Sequence, residues 1–337
     1  MKKETAFKSF YSTTILPMLI EIDKLRRKIR LKNFYTFLAY IGFIALLFLI
    51  GFLVNRMIYG VWIDDNKANV PIIIVVIILI ISFIYFLGKI NTNKKVFVDR
   101  YKNDIIGTIV KFIDESLLYE ANNKIAEKEF IASKLFHHNP NRYNGDDYVS
   151  GKIDKTEIAF SEVHAKYKTE TVDEDGSTRE KWRSLFDGLF FKADFNKDFK
   201  GEYFLFPESL GKMFGQANKF FLRAKKQFGE PIHLEDIEFE KEFVVYGSDQ
   251  VEARYILSSS LMKRLLDFKR QTGKKIKISF VNSSLYIAIP YKKPLFEPGY
   301  YSSVINEKKI KEYYLDLEMA VGIVKDLNLN TRIWRKQ

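Results

Sequence analysis

The chain has 337 residues, a formal net charge of +12 and no cysteine. The lack of cysteine excludes disulfides, thiol catalysis and cysteine-ligated metal sites, and it fits a reducing compartment. A charged fraction of 28% and an aromatic fraction of 15% exclude a disordered composition. The positive charge predicts an anionic neighbour, either a membrane surface or a nucleic acid.

Two apolar segments lie near the start of the chain. They run over 34–54 and 70–88, and neither contains an acidic or basic residue. At a rise of about 1.5 Å per residue, each is long enough to cross a bilayer core of roughly 30 Å. We therefore predict a transmembrane helical hairpin. The lack of acidic and basic residues argues against an ion or proton path and favours a simple anchor.

Basic residues flank both apolar segments. They are Lys24, Arg26, Arg27, Lys28, Arg30 and Lys32 before the first segment, and Lys89, Lys94 and Lys95 after the second. Because positive flanks stay in the cytoplasm, both termini are predicted inside and the loop 55–69 outside. The same nine residues are predicted to contact anionic lipid headgroups; the alternative is that they only set the topology. A cleaved signal peptide is disfavoured by the long charged stretch before the first segment.

The segments beside the predicted spans have helical patterns. Residues 1–33 are predicted to form a cytoplasmic amphipathic helix that is kinked or restarted at Pro17. Residues 89–140 are predicted to form a juxtamembrane helical segment, because apolar residues recur at helical spacing from Phe97 to Phe112.

From Asp147 the apolar period changes from helical to two, and we predict a cytoplasmic α+β domain over 141–337. We expect this domain to fold by itself when it is started near Tyr143. The predicted strands are 148–154, 157–169, 181–194, 201–206, 238–245, 275–281 and 284–290, with a turn at 173–176 between the second and third. Helices are predicted within 248–271, capped by Asp249 and Ser258 and ended by Gly273, and over 306–326.

This order predicts an α+β fold in which an N-terminal transmembrane helical hairpin precedes an antiparallel β-rich domain with a C-terminal helix. Seven strands and a closing helix match the order of a pleckstrin-homology-like barrel. A generic antiparallel sheet with helices on one face is the alternative.

Five segments carry a family resemblance: FKSFYSTTILPML, GDDYVSGKIDKTEIAFSEVHA, LFDGLFFKADFNKDFKG, LEDIEFEKEFVVYGSDQVEARYILSSSLMKRLL and IKISFVNSSLYIAIP. With them, the chain resembles the bacterial membrane proteins of domain-of-unknown-function family 3137 over nearly its whole length. The resemblance implies a two-span hairpin ahead of a soluble domain, and it implies no activity and no catalytic residue. It suggests a LemA-type membrane protein as a partner.

The sequence contains no motif that specifies a reaction. The four histidines are His137, His138, His164 and His233, and the adjacent pair lacks the spacing of a helical zinc site. We therefore predict no metal and no cofactor. Phosphate-binding glycine loops and the G-x-S-x-G elbow are also absent from the sequence.

Three residues are candidates for a ligand or partner site. Asp187 precedes Gly188 in a predicted strand that is rich in phenylalanine, where a glycine indicates a bulge or a close backbone approach. Alternatively, the glycine opens a small depression that binds a ligand. Glu252 is expected to cap a helix and Arg254 to pair with a carboxylate, unless both contribute to a functional site.

We therefore expect a membrane-anchored, non-enzymatic module that binds a partner protein or anionic lipid. The alternative is a membrane-bound enzyme with a dispersed site at Asp187, Glu252 and Arg254. Nucleic-acid binding ranks third and is not expected, because the basic residues concentrate beside the spans.

Overall fold

A computed structural model describes residues 2–59, 69–172, 178–195, 198–208 and 226–327. Within these ranges the chain is α+β, with long N-terminal helices followed by an antiparallel sheet. Most of the predicted outside loop (60–68) and the predicted turn at 173–176 lie outside the described residues. The chain divides into two compact units: a helical unit of Met1–Ile105 with Pro298–Glu307, and a sheet unit of Ile106–Glu297 with Lys308–Gln337.

The helical unit begins with α1 (Lys2–Phe10), a π-helical turn (Tyr11–Ile15) and α2 (Leu16–Tyr59). Pro17 is the second residue of α2, directly after the π-helical turn. Because proline has no N–H, it cannot close the regular bond to the carbonyl four residues earlier, which accounts for an irregular turn at this point. The predicted kink or restart coincides with this irregularity.

Helix α3 (Asn69–Tyr101) runs antiparallel to α2. The Tyr40 and Phe86 rings stack with centroids 4.9 Å apart, and Asn93 Nδ2 donates to Asn33 Oδ1 at 2.7 Å. Later positions in α2 thus meet earlier positions in α3, as in a hairpin. Both helices are long and apolar enough to cross a membrane, and no residue in the most apolar 18-residue window of the first is buried.

The structure describes the following strands in the second unit: β1 (Leu118–Glu120), β2 (Arg142–Ile153), β3 (Thr156–Val172), β4 (Thr178–Asp194), β5 (Tyr203–Pro207), β6 (Glu230–Ile232), β7 (Phe243–Gly247), β8 (Lys277–Val281) and β9 (Ser284–Pro290). These nine described strands form one antiparallel sheet in the spatial order β1-β2-β3-β4-β9-β8-β5-β7-β6.

All seven predicted strands overlap strands of the sheet, which confirms the antiparallel β-rich prediction. The prediction of one strand over 238–245 is wrong in its first half. Asp236 caps a short helix there by accepting a hydrogen bond from the Phe239 N–H at 3.0 Å, so the strand begins only at Phe243. The three-residue strands β1 and β6 were not predicted, because so short a segment shows no period. The pleckstrin-homology-like barrel stays a prediction.

The helices described in the sheet unit are α4 (Gly107–Ile113), α5 (Glu127–Ala132), α6 (Ile237–Glu242), α7 (Gln250–Ile256), α8 (Ser259–Thr272) and α9, whose full extent is Glu307–Asp326. The caps predicted at Asp249, Ser258 and Gly273 are confirmed. Asp249 accepts from the Glu252 N–H at 2.7 Å, Ser258 accepts from the Leu261 N–H at 3.4 Å, and Gly273 ends α8 with a φ of 62°. The capping expected of the Glu252 side chain is wrong, because its carboxylate accepts hydrogen bonds from Lys200, Gly201 and Tyr203 instead.

A phenylalanine-rich core lies on one face of the sheet. Val163 and Ala165 of β3 and Phe190 of β4 belong to it, and Phe130 and Phe136 stack there with centroids 4.6 Å apart. Part of the predicted juxtamembrane segment 89–140 therefore supplies core residues of the sheet unit. Because side chains alternate along a strand, the even-numbered neighbours in β3 point to the opposite face.

Candidate functional site

Eight of the nine predicted headgroup-contacting residues are exposed on α2 and α3. The Asn33–Asn93 hydrogen bond joins α2 and α3 just outside the apolar segments 34–54 and 70–88, so the basic residues of both flanks lie beside the same end of the apolar pair. The exposed set is Lys24, Arg27, Lys28, Arg30, Lys32, Lys89, Lys94 and Lys95.

Arg26 differs from this set, since only 4% of it is exposed. Its Nε donates to Asp23 Oδ1 at 2.9 Å, and its Nη1 donates to the Tyr300 carbonyl at 3.3 Å. Asp23 is itself buried and also accepts from Arg27 Nε at 2.8 Å and from the Val304 N–H at 3.2 Å. Arg26 therefore fastens the segment Pro298–Glu307 to α2 and is not available to a lipid headgroup.

Glu252 lies at the rim of a shallow cavity of about 610 Å³. Its Oε1 accepts from the Lys200 N–H at 3.0 Å, and its Oε2 accepts from the Gly201 N–H and the Tyr203 hydroxyl, both at 2.7 Å. Burial acts to raise the pKa of this carboxyl, but these hydrogen bonds outweigh it and hold the pKa below its ordinary value. Both carboxylate oxygens are thus occupied in joining α7 to the start of β5.

Arg254 is exposed on α7, and the described part of the chain offers it no ion pair. The carboxylate partner expected from the sequence is therefore not found among the described residues. Glu252 is not a suitable partner, because it is two positions from Arg254 and such positions do not share a helix face.

Asp187 lies beside a distortion of β4. The register with β3 shifts between Ala165 and Lys166, and Gly188 has a φ of 152°. A Cβ on Gly188 would lie 2.2 Å from the Ile289 carbonyl oxygen, so the backbones approach too closely for any other residue. The close backbone approach predicted at Gly188 is confirmed. The bulge of β4 lies at Leu185, three residues before Gly188.

The Asp187 side chain contacts a histidine. Its Oδ1 lies 3.0 Å from His164 Nδ1, and its Oδ2 accepts a hydrogen bond from the Ser184 hydroxyl. No hydrogen bond or ion pair between described residues connects Asp187 to Glu252 or Arg254. The structure therefore shows no direct contact between Asp187 and the other two candidate residues within the described ranges.

A different cluster forms around His164. Its Nε2 lies 3.2 Å from Glu162 Oε1, and one ligand atom from each of Asp146, Glu162 and His164 lies within 4.8 Å of the others. Glu162 Oε2 accepts from the Leu295 N–H at 2.7 Å. Glu162 is only 2% exposed, whereas the His164 side chain is 37% exposed.

Sequence reasoning missed this cluster. The only part of the cluster that the local sequence indicates is the pair Glu162 and His164, because residues two apart on a strand share a face. Asp146 and Asp187 join it only through strand register, because Asp146 pairs with Glu162 and Asp187 pairs with His164.

Comparison with known proteins gives a family without an assigned activity. A family model described as "Protein of unknown function (DUF3137)" matches residues 184–329. No curated protein matches the chain. Among solved structures, the mycobacterial trehalose monomycolate transport factor A, TtfA, matches with a TM-score of 0.33 and 12% identity, over 69% of this chain and 98% of that chain. That score is too low to support an argument about fold or function. The match over 184–329 supports the resemblance to domain-of-unknown-function family 3137 that the sequence shows.

Proposed function

We propose that this protein is a membrane-anchored module whose helical hairpin lies in the bilayer and whose sheet unit lies in the cytoplasm. The observation that carries the proposal is the exposure of large apolar side chains along both helices. Phe48 of α2 is 65% exposed and Ile84 of α3 is 64% exposed, and neighbouring Leu, Ile and Phe residues are similar. Soluble proteins rarely expose so large an apolar surface, and lipid acyl chains would cover it.

The proposed ligand of the hairpin's basic end is anionic lipid. Eight exposed cations lie at the end of the helical pair where charge would meet the headgroups. Each contributes about 1 kcal/mol of attraction to an anionic leaflet. Arg26 is left out of this set, because it is buried and its guanidinium faces Asp23 and the Tyr300 carbonyl.

The lipid proposal is tested by the lipids that remain bound to the purified full-length protein. The variant carries Lys28, Lys32, Lys94 and Lys95 changed to glutamine. The matched control carries Lys152, Lys241, Lys263 and Lys275 changed to glutamine, which removes the same charge from exposed positions of the sheet unit. Mass spectrometry should find less anionic phospholipid on the variant and wild-type amounts on the control. Equal retention by both would contradict headgroup binding.

A second proposed function is the binding of a partner protein by the β3–β4 hairpin. Among the described strands, β2 pairs with β3 only as far as Lys166, and β9 pairs with β4 only from Gly188. Residues 167–172 and 178–187 therefore extend beyond the neighbouring strands as a two-stranded ribbon. Unpaired ribbon edges can accept a strand from another protein.

The partner proposal is tested in cells with a photocrosslinking amino acid. Placed at Lys181 on the ribbon, the probe should give a discrete adduct, and a LemA-type membrane protein is the first identity to test. The same probe at exposed Lys263 on α8 is the control. Adducts that are absent at Lys181, or identical at both positions, would count against the ribbon as a docking site.

A further inference from the structure

A separate site lies on the face of β3 opposite the phenylalanine-rich core. We propose that Asp146, Glu162 and His164 bind one divalent transition-metal ion, and that Asp187 is a positioning residue for His164. The proposal does not depend on membrane anchoring or on either proposed binding function.

Strand register brings the three ligands together. Asp146 of β2 is paired with Glu162 of β3, and His164 lies two residues further along the same face. His164 Nε2 and Glu162 Oε1 are 3.2 Å apart. Zinc ligands at about 2.0–2.2 Å and tetrahedral angles lie about 3.4 Å from each other, so this spacing suits two ligands of one ion.

Asp187 fixes the direction of the imidazole. With its Oδ1 at 3.0 Å from His164 Nδ1, the carboxylate accepts the proton on that nitrogen. In the neutral ring, Nε2 then presents a lone pair to Glu162 Oε1, and two electron-rich atoms at 3.2 Å repel each other. A positive centre is needed between them, either a metal ion or a second proton. Metal-binding histidines commonly have this carboxylate on the other ring nitrogen.

Glu162 is held in place from its other side. The Leu295 N–H donates to Oε2 at 2.7 Å, which leaves Oε1 directed at His164. On β2, the register shifts directly after Asp146, and Asp147 has a φ of 58°. Such bulges re-aim side chains and are common beside functional sites.

The donor set indicates the class of ion. One imidazole nitrogen and two carboxylate oxygens, without sulfur, suit Zn²⁺, Mn²⁺ or Fe²⁺. Ca²⁺ and Mg²⁺ prefer ligands that are all oxygen. The partial exposure of Asp146 and His164 leaves one side open, so water or a substrate oxygen can complete the coordination.

The test uses the full-length protein purified in detergent without a polyhistidine tag and stripped with a chelator. Equilibrium dialysis against ZnCl₂ or MnCl₂, followed by elemental analysis, should give one ion per chain. His164→Ala should weaken binding by at least about 100-fold, and Asp187→Asn by about 10- to 100-fold. His233→Ala is the control, because that side chain is 86% exposed and lies outside the cluster.

Glu162→Gln provides a second readout with little change of shape. Added Zn²⁺ should raise the Tm of the wild-type protein and of His233→Ala, but not that of Glu162→Gln, since only an intact site binds the ion to the folded state. If His164→Ala fails to fold, Glu162→Gln and Asp146→Asn decide the question. Substoichiometric binding by the wild-type protein, or wild-type binding by both carboxylate variants, would overturn the proposal and leave a proton between His164 and Glu162.

Discussion

Glu252 joins α7 to the start of β5, because its carboxylate accepts hydrogen bonds from the Lys200 and Gly201 N–H groups and from the Tyr203 hydroxyl. We predict that Glu252→Gln lowers the free energy of unfolding by about 1–3 kcal/mol, because charge-assisted hydrogen bonds are lost and one N–H donor faces an amide NH₂. Denaturant unfolding measures this. Glu235→Gln, at an exposed position, should change little, and equal stability of both variants would contradict the assignment.

The stabilisation by Glu252 should depend on pH. Its pKa is lowered in the folded protein from an ordinary value of 4.5, because the hydrogen bonds outweigh the opposing effect of burial. A lowered folded-state pKa gives stability that is complete above the unfolded value and is lost as the pH falls through the folded value. The stability difference between wild type and Glu252→Gln should thus be constant above about pH 5.5 and shrink below about pH 4.5. If the stability difference between wild type and Glu252→Gln increased as the pH was lowered, the predicted direction of the pH dependence would be wrong.

Arg26 and Arg254 show that local sequence patterns do not reveal which arginine is buried. From the sequence, Arg26 was one of several surface cations and Arg254 was the one expected to pair with a carboxylate. The structure reverses the two, since Arg26 is buried against Asp23 and Arg254 is exposed. Burial is decided by distant chain segments, here by Tyr300 and Val304, which no local pattern identifies.

The two arginines should therefore respond differently to truncation. Arg26→Ala should cost about 3 kcal/mol or more, because it leaves the buried Asp23 charge with less compensation. Arg254→Ala should change stability by no more than about 0.5 kcal/mol, as is usual for exposed positions. Thermal unfolding of both full-length variants in detergent measures this, and a larger loss from Arg254→Ala would show that the exposed placement is wrong.

At the scale of an element, β4 depends on the backbone contact at Gly188. A Cβ there would meet the Ile289 carbonyl oxygen at 2.2 Å, and the φ of 152° is itself unfavourable for other residues. We predict that Gly188→Ala lowers stability by more than about 2 kcal/mol. Gly273→Ala is the matched control, because its φ of 62° lies beside open space and only the conformational cost of about 1 kcal/mol applies. Equal losses in chemical denaturation would argue against a clash at Gly188.

The elements were predicted more completely than their arrangement. Period-two patterns identified seven strands, and the caps of α7 and α8 followed from Asp249, Ser258 and Gly273. However, β4 pairs with β9 and not with β5, which follows it in the sequence. This pairing joins distant parts of the chain, and no local sequence pattern indicates it. For the same reason the His164 cluster could not be predicted, because its neighbours are defined by register across three strands.

At the scale of the whole molecule, the sheet unit should fold without the hairpin, but from an earlier start than the sequence suggested. The structure places Ile125, Phe130 and Leu135 in the core of the sheet unit, which begins at Ile106. A fragment of 106–337 should unfold cooperatively, whereas one that starts near Tyr143 lacks these side chains and should be far less stable or insoluble. Circular dichroism with thermal melting compares them. Equal Tm values would show that the N-terminal part of this core is dispensable.

The two apolar helices were more predictable than any activity. Two apolar segments and their basic flanks are local properties of the sequence, and the exposed apolar side chains of α2 and α3 agree with them. A fold does not specify a function, and the matching family has no assigned one.

The central proposal is that the hairpin anchors the protein with the sheet unit in the cytoplasm. The chain has no cysteine, so a single introduced cysteine reports one position without background. A membrane-impermeant maleimide should label Lys67→Cys, in the predicted outside loop, in intact cells. It should label Lys152→Cys, on exposed β2, only after the membrane is permeabilised. Labelling of Lys152→Cys in intact cells would contradict the proposed topology.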